Sequence, residues 1–174
     1  TVDSATSRIE QINDRCRNKT AFEYDSDGKT TKVTSKNSSN QTLATVSYDY
    51  DGFDNLKEIV RGDGMKYVLA YDAFHNLESI GIDGKAEPLI RYGYKKGSGR
   101  LKSLTYANGN VMYAPYNSLG QMIGEEWKNS ADGNTVAKYK YTYDGDGVPI
   151  FAIVLVIERG VGYHASGFAR EIYP

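Results

Sequence analysis

Tyr50, Asp51, Gly52, Phe53, Asp54, Asn55, Leu56 is followed 21 residues later by Tyr71, Asp72, Ala73, Phe74, His75, Asn76, Leu77, the same pattern with its middle changed. Outward from this pair the tyrosines form a ladder, Tyr24, Tyr50, Tyr71, Tyr94, Tyr116 and Tyr143, at steps of 26, 21, 23, 22 and 27 residues. A repeat of about twenty residues is too short to close a core of its own. Such units become stable by stacking on their neighbours, so the unit sets the architecture.

Between the ladder tyrosines stands a second punctuation: Gly62, Asp63, Gly64, then Asp83, Gly84, then Asn108, Gly109, then Asp132, Gly133. These pairs supply positive φ and suit tight hairpin turns. Each unit therefore holds a longer turn opened by Tyr-Asp and a short glycine turn, separated by segments that alternate as strands do. Tyr67, Leu69 and Tyr71 share one face, as do Ile90, Tyr92 and Tyr94, and again Tyr139, Tyr141 and Tyr143. An Asp at the start of a turn can accept hydrogen bonds from amides one or two residues on. The later glycine, Gly28 or Gly147, takes the left-handed conformation, and the tyrosine hydroxyl is expected to reach water or a turn carbonyl at the rim. Leu56, Leu77 and Leu101 begin the return strands. The fold class expected is all-β, an array of antiparallel β-hairpins forming a twisted, curved sheet.

Composition agrees. The 174 residues include 18 glycines and 15 tyrosines but only 4 prolines, and 21 basic residues balance 22 acidic ones without a basic stripe. That excludes a phosphate-tracking surface, so no nucleic acid is expected as partner. The lone Cys16 rules out an internal disulfide framework and a thiol-rich metal site. The longest apolar run, Ile150 to Ile157, has eight residues and is far short of a bilayer-spanning helix of about 20. It is expected to be a buried strand, covered either by residues 160–174 or by a second copy of the chain.

Three domains follow: 1–20 as an N-terminal cap or the end of a preceding repeat, 21–150 as the hairpin array, and 151–174 as a C-terminal strand with an irregular cap. Ile9 and Ile12 sit at helical spacing, which allows a short helix in the first part. The polar stretch Lys36 to Gln41 reads as a loop that lengthens the first ladder step, and Lys128 to Thr135 as one that lengthens the last. The chain lacks an initiating Met and a leader, and its pattern still runs near the end, as expected of a piece of something longer.

Few residues suggest chemistry. The acidic turns Asp25, Ser26, Asp27, Gly28, then Asp49, Tyr50, Asp51, Gly52, then Asp144, Gly145, Asp146, Gly147 lack the third ligand pair and the bidentate Glu of a calcium loop. No metal and no cofactor are expected. Of the two histidines, His75 occupies a turn position, and His164 with Ser166 lacks an acidic partner. No catalytic residue is nominated. Flat rings are the better candidates for a ligand: Tyr67, Tyr92, Tyr106, Tyr113, Trp127, Tyr139 and Tyr141 could stack on sugar faces, or simply pack across strands.

The ladder resembles the RHS or YD-repeat family, whose unit reads approximately Tyr-Asp, two variable residues, Gly, Arg or Asn, then Leu. Tyr24, Asp25 and Gly28, Tyr50 and Asp51, Tyr71 and Asp72, Tyr94 with Gly99 and Arg100, Tyr116 with Gly120, and Tyr143, Asp144 and Gly147 match its parts. Asp54 and His75 stand where glycine is usual, Lys95 and Asn117 where Asp is, and Gly147 is followed by Val148 and Pro149. The resemblance covers about residues 21–150. It implies a hairpin strip that winds into a hollow shell-like superstructure enclosing a polypeptide, as in bacterial wall-associated and polymorphic toxins, toxin-complex cocoon subunits and teneurins. By this resemblance the expected role is a non-enzymatic segment of an extracellular or cell-surface scaffold. Its partners would be other YD repeats of the parent, a second copy, an enclosed toxin polypeptide or a cell-surface glycan, with no membrane span. The Asp-Pro motif of the self-cleaving members is absent from Tyr163 to Phe168, so self-cleavage is not expected. The alternative function is a carbohydrate-binding module.

Overall fold

A computed structural model describes residues 1–156, the last six by backbone alone. Its 13 strands are β1 (Gln11–Asn13), β2 (Lys19–Tyr24), β3 (Thr30–Lys36), β4 (Thr42–Tyr50), β5 (Leu56–Arg61), β6 (Lys66–Tyr71), β7 (Leu77–Ile82), β8 (Ile90–Tyr94), β9 (Leu101–Tyr106), β10 (Val111–Tyr113), β11 (Gly124–Lys128), β12 (Thr135–Tyr143) and β13 (Pro149–Val156). Among the described residues there is no helix. The protein is all-β and built of antiparallel hairpins.

Its contacts fall into two units, Thr1–Ala86 and Glu87–Pro174. In the first, β1 to β7 pair in chain order, each antiparallel to the next. In the second, β8 to β13 do the same. Alternate turns of such a meander fall on the same edge, which places the Tyr-Asp turns of each unit along one rim.

Period-two alternation gives each unit two unlike faces. Across the first unit, Phe22, Val33 and Val46 are register partners on one face, as are Tyr48 with Ile59 and Leu69 with Ile80. Ser47, Glu58 and Lys66 are on the other, since Ser47 faces Val60, and Val60 faces Lys66. In the second unit Tyr92, Leu104, Met112 and Trp127 run across one face. β12 shows the alternation plainly, with Tyr139, Tyr141 and Tyr143 half-buried and Lys138, Lys140 and Thr142 exposed. Among the described residues only Met112 and Ala114 are buried hydrophobics, at 5% and 4% exposure. Large rings and branched side chains half-cover one another within a single layer.

The N-terminal helix suggested by Ile9 and Ile12 is not formed. Ile9 bridges Val2, and Ile12 lies in β1 opposite Thr20. Between them the Glu10 and Gln11 amides both donate to Thr1 O, so the segment is extended rather than helical. Beyond Lys36, which ends β3, the stretch to Gln41 is the expected connection, but it does not account for the long first step. Asn37 to Gln41 is a tight turn, and the longer first step comes from β3 and β4, which are 7 and 9 residues long. β13 is present as expected and pairs with β12 along its length. The side chains of Phe151 to Val156, residues 160–174, and His164 and Ser166 lie outside what is described.

Candidate functional site: a rim of coupled turns

One turn geometry recurs. In the turn that begins at Asp51, its amide donates to Asn55 O at 2.9 Å and the Asp54 amide donates back to Asp51 O at 3.1 Å. The Asp51 carboxylate oxygen Oδ1 then accepts the amides of Phe53 at 2.8 Å and Asn55 at 2.9 Å. Asp72 binds Phe74 and Asn76 in the same way, Asp25 binds Asp27 and Lys29, and Asp144 binds Asp146 and Val148. Asn117 Oδ1 takes the Gln121 amide at 2.9 Å, so an amide side chain replaces the carboxylate without loss of that bond. The fourth residue is always left-handed: Gly28, Gly120 and Gly147, but also Asp54 at φ 67° and His75 at φ 61°. The departures from glycine in the sequence thus keep the backbone and carry its strain. Lys95 opens a turn one residue longer, closed by its amide on Arg100 O, with Gly99 left-handed.

A bulge precedes five of these turns. The register shifts between Glu23 and Tyr24, Asp49 and Tyr50, Ala70 and Tyr71, Gly93 and Tyr94, and Thr142 and Tyr143. Bulges bend and twist a strand, and here each one re-aims the ladder tyrosine. The hydroxyl does not go to its own turn. Tyr50 Oη donates to Thr30 O at 2.9 Å, Tyr71 Oη to Leu56 O at 2.8 Å, and Tyr143 Oη to Met122 O at 2.6 Å. Each acceptor is the first residue after the preceding turn. Tyr24 reaches Ile9 O at 2.8 Å, just beyond a turn at Asp3 to Arg8 that the ladder did not reveal. Every such tyrosine therefore ties its repeat to the one before it. Burial raises the Tyr50 and Tyr71 hydroxyls above their ordinary pKa, so both stay protonated donors at neutral pH.

A second tie runs along the rim, from the last residue of one turn to the left-handed residue of the next. Lys29 Nζ binds Asp54 Oδ1 at 2.8 Å and stands 5.7 Å from the centre of the Tyr50 ring. Asn55 Nδ2 lies 3.1 Å from His75 Nδ1 while also donating to Asp51 Oδ2 at 2.9 Å, which makes the His75 nitrogen the acceptor. Arg8 lies over Tyr24, and its guanidinium fills the space a Cβ at Gly28 would need. Arg100 does the same over Tyr116 and Gly120, with Lys95 adding a cation 4.8 Å from that ring. Glycine is required at positions 28 and 120 by this close approach as much as by φ. The Arg-or-Asn choice in the repeat unit thus has a physical meaning: a cation reaches the next ring, and an Asn holds its own Asp and the next turn.

These bonds set the titration of the turn carboxylates. The Asn55 side chain first, then turn amides, holds Asp51 below the usual carboxylate pKa, and Asn76 does this for Asp72. Lys29 is raised, chiefly by its bond to Asp54. Asp49 is a strand residue paired with Lys57 at 2.8 Å rather than part of an acidic turn. Among the described residues no cluster of His, Cys, Asp and Glu could hold a metal.

Five of the ring candidates, Tyr92, Tyr106, Trp127, Tyr139 and Tyr141, share one face of the second unit, whereas Tyr67 lies in the first unit and Tyr113 on the opposite face. Trp127 stacks on Tyr106 with centroids 5.6 Å apart and donates to Glu125, which also accepts the Tyr141 hydroxyl at 3.1 Å. Burial, then that carboxylate, pushes the Tyr141 pKa up to about 12. Tyr139 lies opposite Glu125, Tyr92 opposite Leu104, and Tyr67 between Ile59 and Ile82. Tyr113 faces Glu126 on the other side of its sheet, beneath Lys128. Sequence reasoning missed the turns at Asp3 and Asp14, read the one at Asn37 only as an inserted loop, and missed the linking roles of Arg8, Lys29 and Asn55. Asn37 to Gln41 carried a signal, the same five-residue spacing with Asn at both ends of its first four positions.

No protein-family description matches the chain, and no curated protein does either. Solved structures do. The crystal structure of TcdB2-TccC3-Cdc42 matches with a TM-score of 0.68 at 16% identity over 88% of this chain. That of TcdB2-TccC3 matches with 0.68 at 17% over 85%, and the Photorhabdus luminescens Tc holotoxin pore with 0.64 at 18% over 84%. In each case the match spans 8% of the other chain. The hairpin array is a fold shared with those toxin-complex chains.

Proposed function

We propose that this chain is a non-catalytic segment of an extracellular RHS/YD-repeat shell, a length of wall that encloses or displays another polypeptide. The observation that carries this reading is the single-layer construction. A sheet with one aromatic face, one polar face and two buried hydrophobic residues among those described is suited to separating two compartments rather than to surrounding a pocket. The tyrosine ties supply the cohesion that a core would otherwise give, and they repeat for as long as repeats are added. The likeness to chains of toxin complexes, of which this one spans a small part, supports the same role. Its nearest partners are then further repeats of the parent protein, and residues 1–20, with turns at Asp3 and Asp14, are the end of a preceding repeat. Residues 21–150 are the array proper, and β13 continues it to Val156.

The carbohydrate reading is weakened by the geometry of the rings it invokes. Trp127 spends one face on Tyr106 and its N–H on Glu125. The test is cryo-electron microscopy of the full-length parent protein. A closed wall of hairpins with density inside is expected, and an open strip with nothing enclosed would defeat the proposal.

A further inference from the structure

Phe53 and Phe74 hold the same third position in neighbouring turns of the first unit and are 75% and 84% exposed. The equivalent position elsewhere is Asp27, Asp146 or Leu119, so these are the only rings at that position among the Asp and Asn turns of this type in the described residues. One exposed ring is ordinary, but two on adjacent turn tips form a patch. Phe53 leans edge-on to His75, with centroids 4.8 Å apart. Between the two turns lies a depression of 390 Å³ lined by Phe53 and His75 and by Leu69 and Tyr71. Alternate turns of a sheet stand about 10 Å apart, two strand spacings, which leaves room for one flat group beside a ring.

The charge around the patch selects the sign of that group. Asp51 and Asp72 line the depression, and Asp54, in the same turn as Phe53, is already bonded by Lys29. The Asp51 and Asp72 carboxylates each spend Oδ1 on turn amides, while Oδ2 accepts from a single Asn side chain and keeps acceptor capacity. Ring faces are negative at their centres, as carboxylates are, so both attract the same occupant. A planar guanidinium can stack on a ring and bond a carboxylate in one pose, which an ammonium cannot.

We propose that the rim formed by the Asp51 and Asp72 turns is a docking site for an arginine-bearing segment of a partner polypeptide. Arginine side chains lie against Phe53 and Phe74 and bond the carboxylates between them. This site lies at the rim end of the apolar face, where Leu69 and Tyr71 line it, and stands or falls independently of the shell reading. The experiment is fluorescence anisotropy of the 174-residue chain with labelled hexa-arginine, hexa-lysine and hexa-glutamate peptides at 0.15 M salt. Hexa-arginine is expected to bind most tightly, and the F53A/F74A chain to bind it about tenfold more weakly with an unchanged melting temperature. F53L/F74L keeps the apolar bulk without the ring faces and should weaken binding similarly. Equal binding by either double variant would reduce the effect to general attraction by an acidic rim and overturn the proposal. So would tighter binding of a neutral apolar peptide, or a chain dimer lost in F53A/F74A, which would give the patch to a second copy.

Discussion

Asp72 shows what a single side chain does in this fold. Its carboxylate closes the turn by accepting the Phe74 and Asn76 amides, and its second oxygen takes the Asn76 side chain at 3.0 Å. Asp72→Ala is expected to lower the urea midpoint, whereas Asp72→Asn should lower it less, because Asn117 already performs the amide-binding part of the job in this chain. Equal losses would mean that charge rather than turn closure matters. The pH dependence follows from the same bonds. The carboxylates of Asp51 and Asp72 are depressed in the folded chain, so their contribution is fully present above their unfolded pKa and is lost as pH falls through the folded value. Stability should therefore decline below about pH 4, and a chain carrying Asp51→Asn and Asp72→Asn should decline less, as read by thermal melts from pH 7 to pH 2. Tyr71→Phe removes only the hydroxyl that reaches Leu56 O and should cost about 1 kcal/mol in denaturant unfolding. No measurable cost would show that the tie is exchanged freely for water.

At the scale of the element, strands and Tyr-Asp turns were legible because both follow local rules. Period two marks a strand with one covered face, and an acid before a later glycine marks the turn. Left-handed Asp54 and His75 were not legible, since only the repeat's register assigns them that backbone. The turn at Asp14 hid, and the one at Asn37 passed for an insertion, because Asn13 and Lys36, not tyrosines, end their strands. The destination of the tyrosine hydroxyls was unreadable for a different reason. It depends on a one-residue bulge, and a bulge shifts register without a fixed residue type. β10 shows how little an element's length says about its weight. Only three residues long, it carries Met112, which lies between Leu104 and Trp127 and is 5% exposed. Met112→Ala should cost about 2–3 kcal/mol. Leu69→Ala, in a longer strand but half-buried, should cost less, and a urea titration that reversed this order would place the packing elsewhere.

Within each unit, contacts run from one strand to the next, and ties run from one repeat to its neighbour. Stability in such an array is a sum of local terms and nearest-neighbour couplings. Two consequences separate it from a globular domain of the same size. First, no side chain in the described part is so deeply placed that its removal alone would bring everything down. Second, damage should stay near its source. Tyr71→Phe cuts the tie between the Asp51 and Asp72 turns, so amide exchange should quicken in β5, β6 and β7, where Tyr71 and its acceptor lie, and change little around Met112 in β10. Hydrogen exchange followed by mass spectrometry of peptic fragments reads both regions in one experiment. An equal rise in β10 would mean the chain opens as one cooperative block, and the additive wall inferred from its contacts would have to be replaced by a fold held from a common centre.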